Sequence, residues 1–225
     1  MPEGHSLERA ARRLRPLVGA TVDSGPLEGA VVSEIEARGK HLLVHTEDGR
    51  CLHAHLGLHG SVRLRPRGEG RGRHVLRTVA GDAVITGRVE LAGRPPQLRL
   101  GPDLLHGRFD AAAYLRRARA VDRPLGELLL DQRVLAGIGN IVKSETLWER
   151  GESPFRPASA LSDRRLLELA ATARRQLRQG VTGRLPMSVY RRTGRPCPRC
   201  RTPIRSRVQG EQGRRTYYCP RCQEA

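Results

Sequence analysis

The pattern of apolar and polar residues changes along the chain, and each change predicts a different kind of element. Near the start, apolar positions recur three and four residues apart, at Leu7, Ala10, Ala11, Leu14 and Leu17. That spacing predicts a helix over residues 6–18, with Ser6 as its N-cap.

From Val31 to about Leu100 the pattern consists of short apolar runs separated by turns that contain glycine, such as residues 47–49 and 80–82. Runs of this length between such turns predict a small β-sandwich or barrel. Within this region, residues 63–73 are rich in glycine and arginine, which predicts a mobile basic loop.

Helical spacing returns after Pro102. Apolar residues at positions i, i+3 and i+4 mark four segments, residues 110–120, 124–135, 140–150 and 162–179. We therefore predict four helices in the middle of the chain.

The last segment, residues 184–225, holds eleven arginines, two glutamates and four of the five cysteines. It is too short and too polar to form a core of its own, so a crosslink is expected. The cysteines form two CxxC pairs with eighteen residues between them, Cys197 and Cys200, then Cys219 and Cys222. Two disulfides would also use all four, but the spacing and a reducing cytoplasm favour one structural zinc ion. Cys51 stands alone in a strand-like run and is predicted to be a buried core thiol.

Composition indicates the class of partner. The 225 residues include 41 basic and 23 acidic side chains, a formal net charge of +18. A polyanion would offset this self-repulsion, so nucleic acid is the expected partner; an anionic membrane or an acidic protein would leave the motifs below unexplained. Hydrophobic residues make up 38%, which argues against wholesale disorder. The sequence has neither a transmembrane run nor an export leader, so we expect a cytoplasmic, nucleoid-associated protein.

Three residues in the first part of the chain are candidates for covalent chemistry. Removal of Met1 would expose the secondary amine of Pro2, and α-amino groups have a pKa near neutrality, so a fraction would be nucleophilic. Such an amine can attack a sugar C1′, and Glu3 beside it can transfer protons. Lys40, one of only two lysines, enters a predicted strand. The alternatives are a disordered chain tip and a solvated lysine at a strand end.

Residues 131–141 place Gly137 and Gly139 between two predicted helices, with Asn140 predicted as the N-cap of the second. A turn of this kind presents backbone N–H groups and a side-chain amide to an anion, so a DNA phosphate is a natural ligand. Taken alone, the same turn would be an ordinary connection between helices.

Several motifs together carry a family resemblance. They are MPEGH at the start, ARGKHLL at 37–43, HAHLGLHGS at 53–61, LGPDLL at 100–105, DQRVLAGIGN at 131–140, and the two CxxC pairs, the second within YYCPRC. In these residues and in their order the chain resembles the formamidopyrimidine-DNA glycosylase and endonuclease VIII family. The PEG start is more similar to the endonuclease VIII branch.

The resemblance implies an α+β fold in three parts that hold DNA in a cleft. An N-terminal catalytic β-sandwich with a leading helix would span residues 1–106. A helix-two-turn-helix DNA-binding domain would span residues 107–183, and a zinc-finger β-hairpin with four cysteine ligands residues 184–225. The resemblance also implies a monomer that binds damaged DNA, with one structural Zn²⁺ and no redox or nucleotide cofactor.

The resemblance further implies roles for individual residues. Pro2 would be the Schiff-base nucleophile and Glu3 the proton donor in base excision. Lys40 matches the lysine associated with β-elimination, and Asn140 matches the asparagine that binds phosphate.

Other implied contacts with DNA lie on loops and strands. Arg214, five residues before Cys219, stands where the family has the hairpin arginine of δ-elimination, with Arg215 as the alternative if the register shifts by one. Leu58 would fill the gap left by an extruded base, unless it is a core leucine. Phosphate contacts are implied for His55, His74 and Arg88. For the two histidines the alternative is a structural hydrogen bond.

Departures from the family pattern bear on substrate choice. The segment between Val22 and Glu34 and the region around Arg88 are short, and Ser6 stands where the family has a second glutamate. Residues 178–192, which correspond to the family's lesion-covering loop, are not diagnostic of an 8-oxoguanine reader.

The implied function is a bifunctional DNA glycosylase and AP lyase of base excision repair that acts on oxidised pyrimidines and cleaves the abasic strand by β- or β,δ-elimination. One alternative is a related enzyme for oxidised purines or for abasic sites only. A second is a catalytically silent protein that binds damaged DNA. A third, a zinc-ribbon transcription factor, would leave the N-terminal motifs unexplained.

Overall fold

The computed structural model describes residues 2–211 and 213–224, and the chain divides into two compact units, Met1–Leu98 and Arg99–Ala225. In the first unit a helix, α1 (Gly4–Leu14), continues as a single 3₁₀ turn over Arg15–Leu17 and leads into eight strands. The strands are β1 (Val22–Ser24), β2 (Val32–Arg38), β3 (His41–Thr46), β4 (Cys51–His55), β5 (Val62–Arg65), β6 (His74–Thr78), β7 (Gly81–Ile85) and β8 (Arg88–Ala92).

The strands form two antiparallel sheets of four, in the orders β1-β6-β7-β5 and β2-β3-β4-β8. One core joins them, because buried side chains of both sheets and of α1 pack together, among them Leu7, Val44, Leu52, Leu76 and Ile85. The predicted β-sandwich with a leading helix is therefore confirmed. Cys51 is fully buried, as predicted.

Two local predictions in this unit need correction. Glu3, not Ser6, is the N-cap of α1, because the polar first turn Gly4–Ser6 is already helical before the apolar stripe begins at Leu7. The basic segment 63–73 is not a loop throughout, since its first three residues belong to β5 and pair with β7. Its turn is held by the buried Asp82, whose Oδ2 accepts hydrogen bonds from the backbone N–H groups of Gly68 and Gly70.

The second unit is helical and ends in a hairpin. Its elements are α2 (Ala111–Arg119), α3 (Leu125–Leu128), α4 (Asn140–Arg150), α5 (Asp163–Thr182), β9 (Arg205–Gln209) and β10 (Arg214–Tyr218), with a 3₁₀ turn over Ala158–Ala160. Tyr114, Leu128, Ile138, Val142 and Leu169 are among the residues of its core. None of the helices described in either unit is long and apolar enough to cross a membrane.

The third predicted helix, residues 124–135, is wrong in length. Only α3 is helical, and buried residues such as Val134 and Leu135 project from an irregular turn. Apolar spacing alone does not distinguish such a turn from a helix. Asn140 is the first helical residue of α4, and the N-cap is Gly139.

Candidate functional site

The beginning of α1 holds the first two candidate residues. Glu3 is fully buried, and Pro2 directly before it is partly exposed. The Ser6 hydroxyl accepts a hydrogen bond from the Glu3 N–H at 2.7 Å and donates one to the Glu3 carbonyl at 2.7 Å. Because α1 packs on β2, β3 and β5, the start of this helix is fixed on the sandwich. The pair is thus a buried carboxyl group next to a partly exposed proline, whose nitrogen would become an amine on removal of Met1.

Lys40 lies in the tight turn between β2 and β3, where Gly39 adopts a φ of +57°. Its ammonium group lies near two imidazoles, those of His41 and His55. Burial and then the neighbouring histidine and lysine charges lower the pKa of His41 to about 4. Burial and Lys40 also lower the pKa of His55. Lys40 therefore lies beside imidazoles that are biased toward their neutral form.

A row of histidines next to Lys40 was not predicted as a cluster. His41 and His55 are direct partners across β3 and β4, and His41 Nδ1 lies 2.7 Å from His53 Nε2. His53 Nδ1 in turn lies 3.6 Å from a carboxylate oxygen of Glu90. The signal was present in the sequence, because residues two apart in a strand share one face and His53 and His55 have that spacing.

The implied phosphate contacts of the first unit fall on different sheets. His55 and Arg88 are direct cross-strand partners on β4 and β8, so they lie side by side near Lys40. His74 lies on β6, in the other sheet. Arg88 pairs with Glu90, and His55 Nδ1 accepts a hydrogen bond from the Gly57 N–H at 3.2 Å.

Leu58 lies in the turn that follows β4, and its side chain is 50% exposed. It is therefore not part of the core, which removes the structural alternative for this residue. An exposed leucine in a turn has the shape required to enter a base stack.

In the second unit, the glycine turn is organised by one side chain. The Gln132 amide oxygen accepts a hydrogen bond from the Gly137 N–H at 3.0 Å, and its Nε2 donates to the carbonyls of Leu130 and Ile138. The Asn140 side chain is buried, and its Nδ2 donates to the Arg215 carbonyl of the hairpin at 2.9 Å.

Arg214 and the residues just before the glycine turn line the same cavity. It has a volume of about 470 Å³, and Arg214, Glu127, Asp131 and Arg133 are among its lining residues. Arg215 is instead engaged with Ser206, to whose hydroxyl its guanidinium donates at 3.2 Å. Of the two candidate arginines, Arg214 is the one that lines this cavity.

The four cysteine sulfurs of the hairpin region lie within 4.8 Å of one another, the single cluster of potential metal ligands found in the part of the chain that the structure describes. The Cys200–Cys219 and Cys197–Cys222 sulfur distances are 3.4 and 4.0 Å. A disulfide would require about 2.05 Å. Tetrahedral zinc with Zn–S bonds of about 2.3 Å places its ligand sulfurs about 3.8 Å apart, so the four thiolates fit this ion.

Three domain families match the chain in order. The formamidopyrimidine-DNA glycosylase N-terminal domain matches residues 22–89, the formamidopyrimidine-DNA glycosylase H2TH domain residues 100–189, and the zinc finger found in FPG and IleRS residues 194–225. A relative, the probable endonuclease 8 2 of Streptomyces coelicolor, is 36% identical over 266 residues, covering 99% of this chain and 94% of that protein. The chain belongs to the formamidopyrimidine-DNA glycosylase and endonuclease VIII family.

Solved structures of this family share the fold along the whole chain. The crystal structure of MutM (Fpg) from Thermus thermophilus is 34% identical, with a TM-score of 0.84 over 99% of this chain and 98% of that one. MutM in complex with carbocyclic 8-oxo-G containing DNA is 25% identical, with a TM-score of 0.86 over 100% of both chains. The predicted membership of a DNA glycosylase family, the fold class and the zinc finger with one structural zinc are thus confirmed.

Proposed function

We propose that this protein is a bifunctional DNA glycosylase and AP lyase of base excision repair that excises oxidised pyrimidines. The observation that carries the proposal is the placement of Glu3. This carboxyl group is fully buried, adjoins Pro2 and lies at a helix start that Ser6 holds in place. A buried acid next to a potential secondary amine provides a proton donor and a nucleophile at one point of the chain.

The proposed reaction begins once Met1 is removed. The Pro2 nitrogen forms a bond to C1′ of an extruded nucleotide as the bond from C1′ to the base breaks, and Glu3 supplies the proton that the base takes up. The Pro2 N–H proton then passes through the Glu3 carboxylate to the ring oxygen as the C1′–O4′ bond breaks, which leaves an iminium between Pro2 and C1′. Loss of a C2′ proton expels the 3′ phosphate, and loss of the C4′ proton in a second elimination expels the 5′ phosphate. Lys40 assists the first elimination and Arg214 the second.

The remaining candidate residues bind the strand. His55, His74 and Arg88 contact phosphates, and Leu58 fills the gap that the extruded base leaves in the base stack. Asn140 and Arg214 grip the phosphates of the extruded nucleotide. The net charge of +18 supplies the sequence-independent part of the affinity for damaged DNA.

We further propose that the protein is a monomer with three parts, residues 1–106, 107–183 and 184–225. It would act on the DNA of the nucleoid. Cys197, Cys200, Cys219 and Cys222 would hold the zinc ion. Four thiolates leave no open coordination position, so the ion supplies structure to the hairpin and takes no part in the reaction.

Excision assays on matched duplexes test the substrate. Each duplex carries one thymine glycol, one 8-oxoguanine or one preformed abasic site, and base release and strand cleavage are followed separately in single turnover. We expect release of thymine glycol at least tenfold faster than release of 8-oxoguanine. E3Q should slow base release about a hundredfold or more, the range of general acid catalysis, while cleavage of the preformed abasic site is affected less.

The other outcomes identify the alternatives. Faster release of 8-oxoguanine assigns the protein to oxidised purines, and cleavage of abasic DNA alone makes it an abasic-site enzyme. Tight binding of damaged DNA with no bond cleaved would leave the silent binding protein as the function.

A further inference from the structure

The second lysine of the chain is deeply buried in the second unit. Lys143 lies on α4, one turn after Asn140, and its side chain is fully removed from solvent. Burial of an ammonium group is costly unless hydrogen bonds compensate it. Lys143 Nζ donates to Thr216 Oγ1 on β10 at 2.6 Å. The lysine therefore connects the helix that follows the glycine turn to the hairpin.

The hydrogen-bond chain continues through the hairpin. Thr216 is itself fully buried, and its hydroxyl donates to Gln209 Oε1 at 2.8 Å, while Gln209 Nε2 donates to the Pro154 carbonyl at 2.8 Å. The Gln209 amide also lies against Gly126 of α3, where an added Cβ would come within 2.3 Å of Oε1. A threonine hydroxyl can accept one bond and donate another at once, so every link has a defined direction.

This series of hydrogen bonds passes beside Arg214. Gln209 is the direct cross-strand partner of Arg214 in the β9–β10 hairpin. The Asn140 side chain holds the next residue by its bond to the Arg215 carbonyl, and Lys143 holds the residue after that, Thr216. Two side chains one turn apart on α4 thus fix the strand immediately after Arg214.

We propose that Lys143 is a positioning residue for Arg214. The hydrogen bond from Lys143 to Thr216 and the one from Thr216 to Gln209 fix the position of β10 on α4. They therefore also fix the point from which the Arg214 guanidinium reaches a phosphate. The proposal rests on the proposed function, in which Arg214 acts on the abasic strand. A methionine could fill the same volume, but only a donor at this position can bind the threonine hydroxyl and so specify the register of the strand.

The test uses the full-length, zinc-loaded protein with four variants. K143M and T216V each remove one partner of the bond, T216S keeps the hydroxyl, and R164M removes one positive charge from an exposed side chain of α5. Amide hydrogen exchange of residues 205–209 and 214–218 is measured beside zinc content and the ratio of δ- to β-elimination products on preformed abasic DNA.

We expect K143M and T216V to speed exchange in the hairpin about tenfold and to lower the δ to β ratio several-fold, with one zinc per chain retained. T216S and R164M should behave as the wild type. The double variant K143M/T216V should be less impaired than the sum of the two single effects, because both single changes break the bond between Lys143 and Thr216.

Unchanged exchange and product ratio in K143M or T216V would overturn the proposal, as would T216S that is as impaired as T216V. If K143M fails to fold, T216V is compared with T216S and with Q209L, which removes the bond between Thr216 and Gln209 but leaves Lys143 bound to Thr216. A T216V protein no more impaired than Q209L would then overturn the proposal. The wild-type protein could cleave no DNA while hydrogen exchange in the hairpin is still faster in K143M and T216V. This result would refute the proposed function but leave the role of Lys143 in placing β10 intact.

Discussion

The Ser6 hydroxyl makes two hydrogen bonds to the backbone of Glu3, accepting from its N–H and donating to its carbonyl, each at 2.7 Å. Position 6 is also where the resemblance to the family implied a second glutamate. The departure does not leave the start of α1 unsupported, because serine fixes the Glu3 backbone from within the first helical turn. The carboxyl proposed to protonate the leaving base thus has a rigid attachment.

The Ser6 contacts predict a catalytic defect in S6A. Loss of both bonds should loosen the backbone of Glu3, slow base release about tenfold and lower the free energy of unfolding by about 1 kcal/mol. S6T keeps the hydroxyl and should stay close to the wild type. Single-turnover base release and urea unfolding measure the two effects. Base release in S6A at the wild-type rate would mean that the hydroxyl does not position Glu3.

Two imidazoles, those of the buried His5 and the partly buried His41, predict how stability depends on pH. Burial is the largest cause that lowers the pKa of His5 and of His41 from 6.5 to about 4 in the native state. Between these values the unfolded chain binds more protons than the folded one, so the free energy of unfolding decreases as the pH falls from 6.5 to 4.

Urea unfolding of the double variant H5Q/H41Q measures this contribution. The variant should lose less stability than the wild type between about pH 7 and about pH 4.5, while H59Q, at an exposed position, should keep the wild-type slope. If the double variant loses as much as the wild type, the acid sensitivity arises elsewhere.

Arg214 predicts a specific change in the salt dependence of DNA binding. Removal of one arginine that contacts a phosphate should reduce the slope of log K against log salt by about 1, and should weaken binding uniformly across sequences. R214A is compared with R164A, which removes an arginine that pairs with Glu168 on the exposed surface of α5. Titrations at four salt concentrations give the slopes. Equal slopes for R214A and the wild type would remove Arg214 from the phosphate contacts.

Zinc removal should unfold the hairpin region of the second unit and leave the β-sandwich of the first unit folded. The cysteines pack with Val189, Ile204 and Trp148, whereas the core of the sandwich contains none of the four ligands. A strong chelator should therefore abolish protection of the hairpin from hydrogen exchange and weaken DNA binding at least tenfold. Protection in residues 2–98 should persist, and added zinc should restore both properties. DNA affinity that survives complete zinc loss would contradict this.

The sequence was most informative where local signals determine structure. The CxxC spacing predicted the cysteine cluster, and alternating short apolar runs predicted the sandwich. The helical spacing over 110–120 and 162–179 predicted α2 and α5, whose N-caps are Asp110 and Ser162. These features depend on residues close together in the chain.

Features that depend on distant residues were missed. The helix predicted over 124–135 ends at Leu128, and the Gln132 side chain organises the turn that follows through contacts that periodicity does not encode. Lys143 lies on α4, and its partner Thr216 belongs to a hairpin strand 73 residues later in the sequence. Local periodicity therefore does not indicate that Lys143 is buried. The sequence did contain a signal that Lys143 is unusual, because only two of the 41 basic residues are lysines.

Borohydride trapping tests directly whether the Pro2 nitrogen forms the covalent bond to the sugar. The protein is incubated with a labelled duplex that bears one abasic site, and borohydride reduces any iminium to a stable amine. The controls are P2G and a form whose Pro2 is blocked by a retained N-terminal tag.

We predict a covalent adduct that peptide mass spectrometry places on Pro2 and that disappears when Pro2 is blocked. Zinc-loaded protein that binds the same duplex but yields no adduct, or an adduct located on Lys40, would contradict the account.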